Sequence, residues 1–305
     1  MTRDDGQGRG PATAAPVAVV DAHVHIWDLA ARDQAWIPAG SPIRRTFTLA
    51  GLRDAIAGCP VEKVILVQVI NDADETADLL RQAAAEDLVA GVVGWALLAD
   101  PAFPQALAAL RGTGWLVGVR HQALAELDPA GWLRSPAVQA GLAELDRAGL
   151  PFDLIVRPQH FATVAGIARA HPSLQLVLDH LGKPPIATGD LKPWAAGLRE
   201  LAAEPNVSCK LSGVQTVAAA DWKYSDLALF LEVALDAFGP DRMLFGSDWP
   251  VATQAASYPQ ILDVASMACA ALSPPERAAV LGGNARRIYR LPPSTPCPQA
   301  SNSLI

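Results

Sequence analysis

Short runs of β-branched and apolar residues recur eight times along this chain, and stretches with helical periodicity fill most of the gaps between them. The runs are Ala18 to Ala22, Lys63 to Val69, Val89 to Trp95, Leu116 to Val119, Phe152 to Val156, Leu174 to Leu178, Val207 to Lys210 and Arg242 to Phe245. Between them, Asp72 to Glu86, Pro136 to Ala148, Thr163 to Ala170, Trp194 to Ala203 and Ser225 to Ala237 space apolar residues three and four apart, as a helix with one buried face requires. Strands that alternate with helices pair in parallel. Several runs, VILVQV and LQLVLD among them, are continuously apolar, as strands covered on both faces should be. Eight such units within 305 residues suit a closed barrel, whose usual size is roughly 250 residues. An open doubly wound sheet would carry a glycine-rich phosphate turn after its first strand, and the sequence has none. The expected fold is therefore α/β, a single-domain (β/α)8 TIM barrel over residues 17–291. The ends, 1–16 rich in Gly, Pro and Ala and 292–305 rich in Pro and Ser, are expected to be disordered.

Charge narrows the partners. Lys and Arg number 24 against 31 acids, a net charge of −7, whereas a nucleic-acid partner needs a basic face. No apolar run is long enough to cross a bilayer, the most apolar being Val89 to Ala99. Cys59, Cys209, Cys269 and Cys297 form no CxxC pair, which points to reduced thiols rather than a zinc knuckle or a disulfide framework. With no apolar leader at the N-terminus, the expected location is cytoplasmic and the expected partner a small molecule, with neither nucleic acid nor membrane involved.

Ionisable residues gather where the runs end. The first closes in Asp21-Ala22-His23-Val24-His25, and period-two alternation turns His23 and His25 to one side. The sixth ends at Asp179-His180, the seventh at Cys209-Lys210-Leu211-Ser212, and the eighth at Gly246-Ser247-Asp248-Trp249-Pro250. C-terminal strand ends are where barrel enzymes keep their chemistry. A single histidine there is commonly solvated or a cap, and Asp248 could cap the helix that follows. The combination carries more weight: His23, His25, His121 and His180 all fall at such ends, His160 lies just beyond a fifth, and only His171 reads as purely structural. Arg120 is costly to bury alone and either meets a substrate carboxylate or hydroxyl or pairs with a loop acid, and Lys210 has the same two readings. Trp27, Trp36, Trp95, Trp222 and Trp249 either wall a pocket for a ring or simply pack.

The motifs VDAHVHIWD at 20–28, GVRH at 118–121, LDHLGKP at 178–184, CKLSG at 209–213, FGSDWPV at 245–251 and GGNARRIYRL at 282–291 resemble the amidohydrolase superfamily. Within it, they resemble the branch of sugar-acid lactonases and 2-pyrone-4,6-dicarboxylate lactonase. They span nearly the whole expected barrel. The resemblance implies that His23, His25 and His180 line the mouth with Asp248 as the acid/base, and that Arg120, His121, Gln159 and Trp249 lie near the substrate.

Many members of the superfamily bridge two metals with a carboxylate at the end of the fourth strand. Here that strand ends in Val119-Arg120-His121, so at most one ion is expected, held by His23, His25 and Asp248 with His180 or His160 nearby, and zinc or manganese suits such ligands. The branch includes metal-free enzymes as well. The implied reaction is hydrolysis of a small lactone: Asp248 takes a proton from water and returns it to the ring oxygen, while the imidazoles or their ion polarise the carbonyl. No G-x-S-x-G elbow is present to supply a serine nucleophile. The competing expectations are a single-metal decarboxylase or C–C hydrolase of the same superfamily, and a non-catalytic sugar-acid binding barrel.

Overall fold

The computed structural model describes residues 17–292; the two ends expected to be disordered lie outside the described residues, apart from Pro292. Eight parallel strands pair in sequence order: β1 Val19–Val24, β2 Val61–Val67, β3 Val89–Gly94, β4 Leu116–His121, β5 Phe152–Leu154, β6 Leu176–Leu178, β7 Val207–Leu211 and β8 Met243–Phe245. The ring closes just past β8. Val24 bridges in parallel to Trp249, Asp248 N–H donates to the His23 carbonyl at 2.9 Å, and His25 N–H donates to the Trp249 carbonyl at 2.7 Å. The fold is thus a single (β/α)8 barrel, and closure joins β1 to the segment that carries Asp248.

The helices form where the sequence offers both a start signal and an apolar face. Pro136–Ala148 begins at Ser135, whose hydroxyl accepts from Val138 N–H, has proline at its first position, and stops at Gly149 with φ +65°. It buries Val138, Leu142 and Leu145. Ala73–Ala85 is capped by Asp72, which accepts from Glu75 N–H at 2.8 Å, and buries Leu79, Leu80 and Ala83. Each such Leu or Val removed from water contributes ~1.5–3 kcal/mol, which is why propensity alone need not hold the helices.

Two apolar clusters result. The larger lies between strands and helices; the smaller joins Val20, Ile65, Val93, Val177 and Leu244 to Ile288 and Tyr289 of the terminal turns. Above that smaller plug the barrel turns polar, with Asp153, Asp179, Lys210, Arg120 and His23 all essentially without solvent exposure.

Candidate active site

The first strand does not alternate simply. Its register against β2 shifts between Asp21 and Val24. Asp21 faces the β8 side, where Oδ1 accepts from Ser247 N–H at 2.8 Å and Oδ2 from the Tyr258 hydroxyl at 2.8 Å. His23 faces Lys210 and Asp179, at 3.0 and 3.3 Å from its Nδ1. His23 and His25 meet at Nε2, 3.1 Å apart. The bulge therefore separates a carboxylate that ties strands together from the two imidazoles.

Asp248 and His180 arrive on strained backbone. Asp248 has φ +57°, and His180, Leu181, Gly182 and Lys183 all have φ between +53° and +66°. Left-handed backbone costs an L-residue roughly 1–2 kcal/mol and persists only where the surroundings enforce it. Here Trp194 Nε1–H donates to the Leu181 carbonyl at 2.9 Å, and the Lys183 N–H to that of His180 at 2.8 Å. Gly213, at φ +61°, completes the fit: a Cβ there would stand 2.7 Å from His180 Nδ1 and 2.9 Å from Asp248 Oδ2. No larger residue can occupy that position of CKLSG without moving both groups.

The outcome is a carboxylate faced by three imidazoles. Asp248 Oδ1 lies 3.5 Å from His25 Nε2 and 3.9 Å from both His23 Nε2 and His180 Nε2. His25 donates Nδ1–H to the Val67 carbonyl at 2.8 Å, which leaves its Nε2 with a lone pair. His180 Nδ1 meets the Ser212 hydroxyl at 2.8 Å. Burial pushes the histidines toward the neutral form; His23 lies far below its ordinary range with Lys210 beside it, and His180 is pushed down to about 4. Burial also pushes the Asp248 carboxyl up, but the His180, His25 and His23 imidazoles around it prevail and hold it below the usual carboxylate range. An ionised carboxylate thus sits among neutral imidazoles.

These groups form the floor of a cavity of about 580 Å³, within the range of small-molecule sites. His25, Arg120, His180 and Asp248 line it, with Trp36, Asn71, Gln122, Arg157 and Lys183 on the walls. Other residues expected near substrate are placed elsewhere. Lys210 is fully buried below the floor, with Nζ 2.5 Å from Asp153 Oδ2 and 3.1 Å from Asp179 Oδ1. His121 is buried against Trp132, ring centroids 3.8 Å apart, and is held by Trp95, Asn71 and Glu126. Trp249 is buried edge-on to Phe47, and Gln159 is exposed on a short turn; neither lines the cavity. His160 accepts from Arg157 N–H and belongs to neither candidate ligand cluster. Arg120 lines the cavity, and its guanidinium pairs with the buried Asp179 at 3.0 Å and donates to the Gln68 carbonyl.

The donor set suits one divalent ion. Ligand atoms of His23, His25 and Asp248 lie within 4.8 Å of one another, and tetrahedral zinc with bonds of roughly 2.0–2.1 Å would want edges of about 3.3 Å, bracketed by the 3.1, 3.5 and 3.9 Å observed. A second cluster, His23, Asp179 and His180, already faces protein cations, since Asp179 pairs with both Arg120 and Lys210. Arg120 Nη1 also stands 3.3 Å from His23 Nε2.

Glu75 was not singled out by its motif, yet it shapes the wall. Its Oε2 accepts from the N–H groups of Val69 and Ile70, at 2.9 and 3.0 Å, and both residues line the cavity. Burial raises its carboxyl to about 7, partly opposed by those two N–H groups. Because the folded value exceeds the unfolded one, the group's contribution to stability is present below about pH 4.5 and is lost as pH rises through about 7. Glu75→Gln, always neutral, should therefore gain stability relative to the parent between pH 5 and pH 8. Denaturant unfolding of both proteins at the two pH values measures this, and a pH-independent difference would contradict it.

Three imidazoles and a carboxylate thus gather at the C-terminal face of an eight-stranded barrel, the end where barrel enzymes keep their chemistry. The sequence profile of the family described as Amidohydrolase matches residues 20–291, and the chain belongs to that family. It is 40% identical over 287 residues to an L-fucono-1,5-lactonase of Burkholderia multivorans, covering 90% of this chain and 96% of the relative. An L-fucono-1,5-lactonase of Burkholderia ambifaria is 35% identical over 277 residues, covering 89% and 95%. Among solved structures, a Burkholderia multivorans amidohydrolase with bound zinc superposes with a TM-score of 0.86 at 39% identity, covering 90% of this chain and all of that one.

Proposed function

We propose that this chain opens the ring of a small sugar-acid lactone, with Asp248 as the acid/base. The enzyme is a hydrolase acting on a cyclic ester, as its curated relatives are named for. The observation that carries the residue roles is Asp248 Oδ1 on the cavity floor facing three Nε2 atoms, those of His25 and His180 beside it and that of His23 beneath. In this reading a water above Asp248 attacks the ring carbonyl as the carboxylate takes its proton. The oxygen that becomes negative is met by the Arg120 guanidinium and the His180 ring. The carbon–oxygen bond of the ring then breaks, and Asp248 returns the proton to the leaving ring oxygen, which gives a hydroxy acid. His23 positions the floor from beneath, between Lys210 and Asp179.

His23, His25 and Asp248 are the residues that would hold a zinc or manganese ion, which supplies Lewis-acid polarisation and acidifies bound water. Cysteine chemistry is not called on: Cys209 is fully buried and burial pushes its thiol far up. Relatives matched along most of the chain favour hydrolysis over decarboxylation and over a binding barrel without chemistry.

A pH-indicator assay of aldonolactones, L-fucono-1,5-lactone included, tests the reading on metal-stripped and metal-supplemented protein. Turnover of at least one member is expected, with no more than one equivalent of transition metal per chain by elemental analysis. Silence across the panel in both preparations would sink the lactonase reading; two equivalents would show that the second cluster also takes an ion.

A further inference from the structure

Past the end of β2 the ladder with β3 stops at Gln68, whose N–H donates to the Val93 carbonyl at 2.9 Å. The next two N–H groups, of Val69 and Ile70, share one acceptor, the Glu75 side chain in the first turn of the helix Ala73–Ala85. Much of the active-site wall depends on that short segment. The Val69 carbonyl accepts from Gln122 Nε2 at 2.9 Å, and Asn71 Oδ1 accepts from the Gln122 N–H at 2.8 Å. The Gln68 carbonyl accepts from the Arg120 guanidinium, and Gln68 Nε2 donates to the Arg120 carbonyl at 3.3 Å. One carboxylate therefore anchors a segment that holds both a wall of the cavity and the guanidinium that meets the oxyanion.

That anchor is costly to the fold. Glu75 is buried, and among the described residues no cation lies within ion-pair distance of it. Arg32, on the loop after β1, pairs instead with Asp72 at 3.5 Å and Asp78 at 3.1 Å; Arg81 pairs with Asp78 as well, and Arg120 on β4 with Asp179. Asp28, on the same loop as Arg32, accepts from the Thr46 hydroxyl at 2.9 Å. A neutral acceptor would satisfy the same two N–H groups without burying a charge. What the charge adds is strength, since an ionised acceptor holds an N–H roughly twice as tightly as a neutral one. Stability given up at the edge of an active site is the usual mark of a residue kept for function.

Glu75 also exchanges its proton away from the substrate. It lines a second cavity, of about 410 Å³, together with Trp27, Arg32 and Leu79, and none of the residues around that cavity lines the first. With burial raising its carboxyl to about 7, the ionised form takes over between about pH 6 and about pH 8.

We propose that Glu75 is a positioning residue for ring opening, whose ionised carboxylate fixes segment 68–71 and, through it, Arg120 and the wall made by Asn71 and Gln122. The inference rests on the proposed lactonase reaction for what is positioned, and on the two N–H bonds for how.

Glu75→Gln keeps the acceptor and removes the charge at every pH. At about pH 8 it should lower kcat/KM, for a lactone the parent opens, by roughly fivefold, the difference between a charge-assisted and a neutral hydrogen bond. At about pH 6, where Glu75 of the parent is mostly neutral, the two proteins should agree within about twofold. Over that interval the variant gains stability relative to the parent while losing activity relative to it, whereas a merely structural residue would move both in the same direction. Hydrogen exchange of the Val69 and Ile70 amides reads the bonds without any substrate, and at about pH 8 it should be roughly fivefold faster in the variant. A ratio of variant to parent kcat/KM that does not change with pH, or unchanged exchange at both amides, would overturn the assignment and leave the lactonase reading in place. Faster exchange at these amides, in a protein whose parent opens no lactone, would keep Glu75 as the anchor of the segment and end the lactonase reading.

Discussion

Asp248→Asn is expected to lower kcat by roughly 10² or more, the range of a lost general acid–base group. The substitution isolates the chemistry because almost everything else about the position survives it. Asparagine tolerates the left-handed backbone at φ +57° as well as aspartate does, and the main-chain bond from residue 248 to the His23 carbonyl involves no side chain. The amide keeps the volume against Gly213, whose missing Cβ leaves room for nothing larger. What disappears is the one ionised group beside three neutral imidazoles. Steady-state kinetics on any lactone turned over by the parent, with circular dichroism as the control for folding, measures the effect. Near-normal turnover by the folded variant would take the acid/base role away from Asp248.

Lys210→Met should cost the fold about 3–5 kcal/mol, the usual result of removing one partner from a buried ion pair. The ammonium stands between Asp153 and Asp179, 2.5 and 3.1 Å away, with no solvent exposure for any of the three. Asp153 shows how much these carboxylates need it. Even with Lys210 in place and the Tyr289 hydroxyl donating at 2.8 Å, burial raises its carboxyl to about 6. Without the cation Asp153 should take up a proton, leaving Asp179 to Arg120 alone. Methionine fills much of the volume, so the loss is electrostatic more than steric. At roughly 2–4 °C per kcal/mol for large domains, the melting temperature should fall by about 10 °C. Adding Asp153→Asn to Lys210→Met removes the orphaned charge and should recover part of that loss. A single variant as stable as the parent would show that the buried network contributes nothing net.

The fold was legible because its signals are local and repeated. Each of the eight apolar runs contains or overlaps a strand, and Pro136–Ala148 follows its expected bounds, since serine, proline and glycine mark its ends. Depth along the barrel was not legible. Period-two alternation turns Lys210 inward, but how far below the mouth it lies depends on strand tilt and register against β6 and β8, which no residue pattern encodes. The bulge in β1 likewise reversed Asp21 relative to His23, although simple alternation puts both on one side. Lys183 and Arg157 reach the cavity through turns whose conformation depends on contacts distant in sequence, as Trp194 holding Leu181 illustrates. The histidines were easier, because two on one strand and one at the end of another have few other reasons to converge.

The account stands on water, delivered by Asp248, being the group that attacks the ring carbonyl. A single-turnover reaction in 18O-water, with enzyme in excess over a lactone it opens, reads this directly. One 18O atom should appear in the product carboxylate from the first turnover, with no label in the Asp248 peptide. An unlabelled product in that turnover, with 18O in the Asp248 side chain, would mean that the carboxylate itself attacks and would contradict the mechanism.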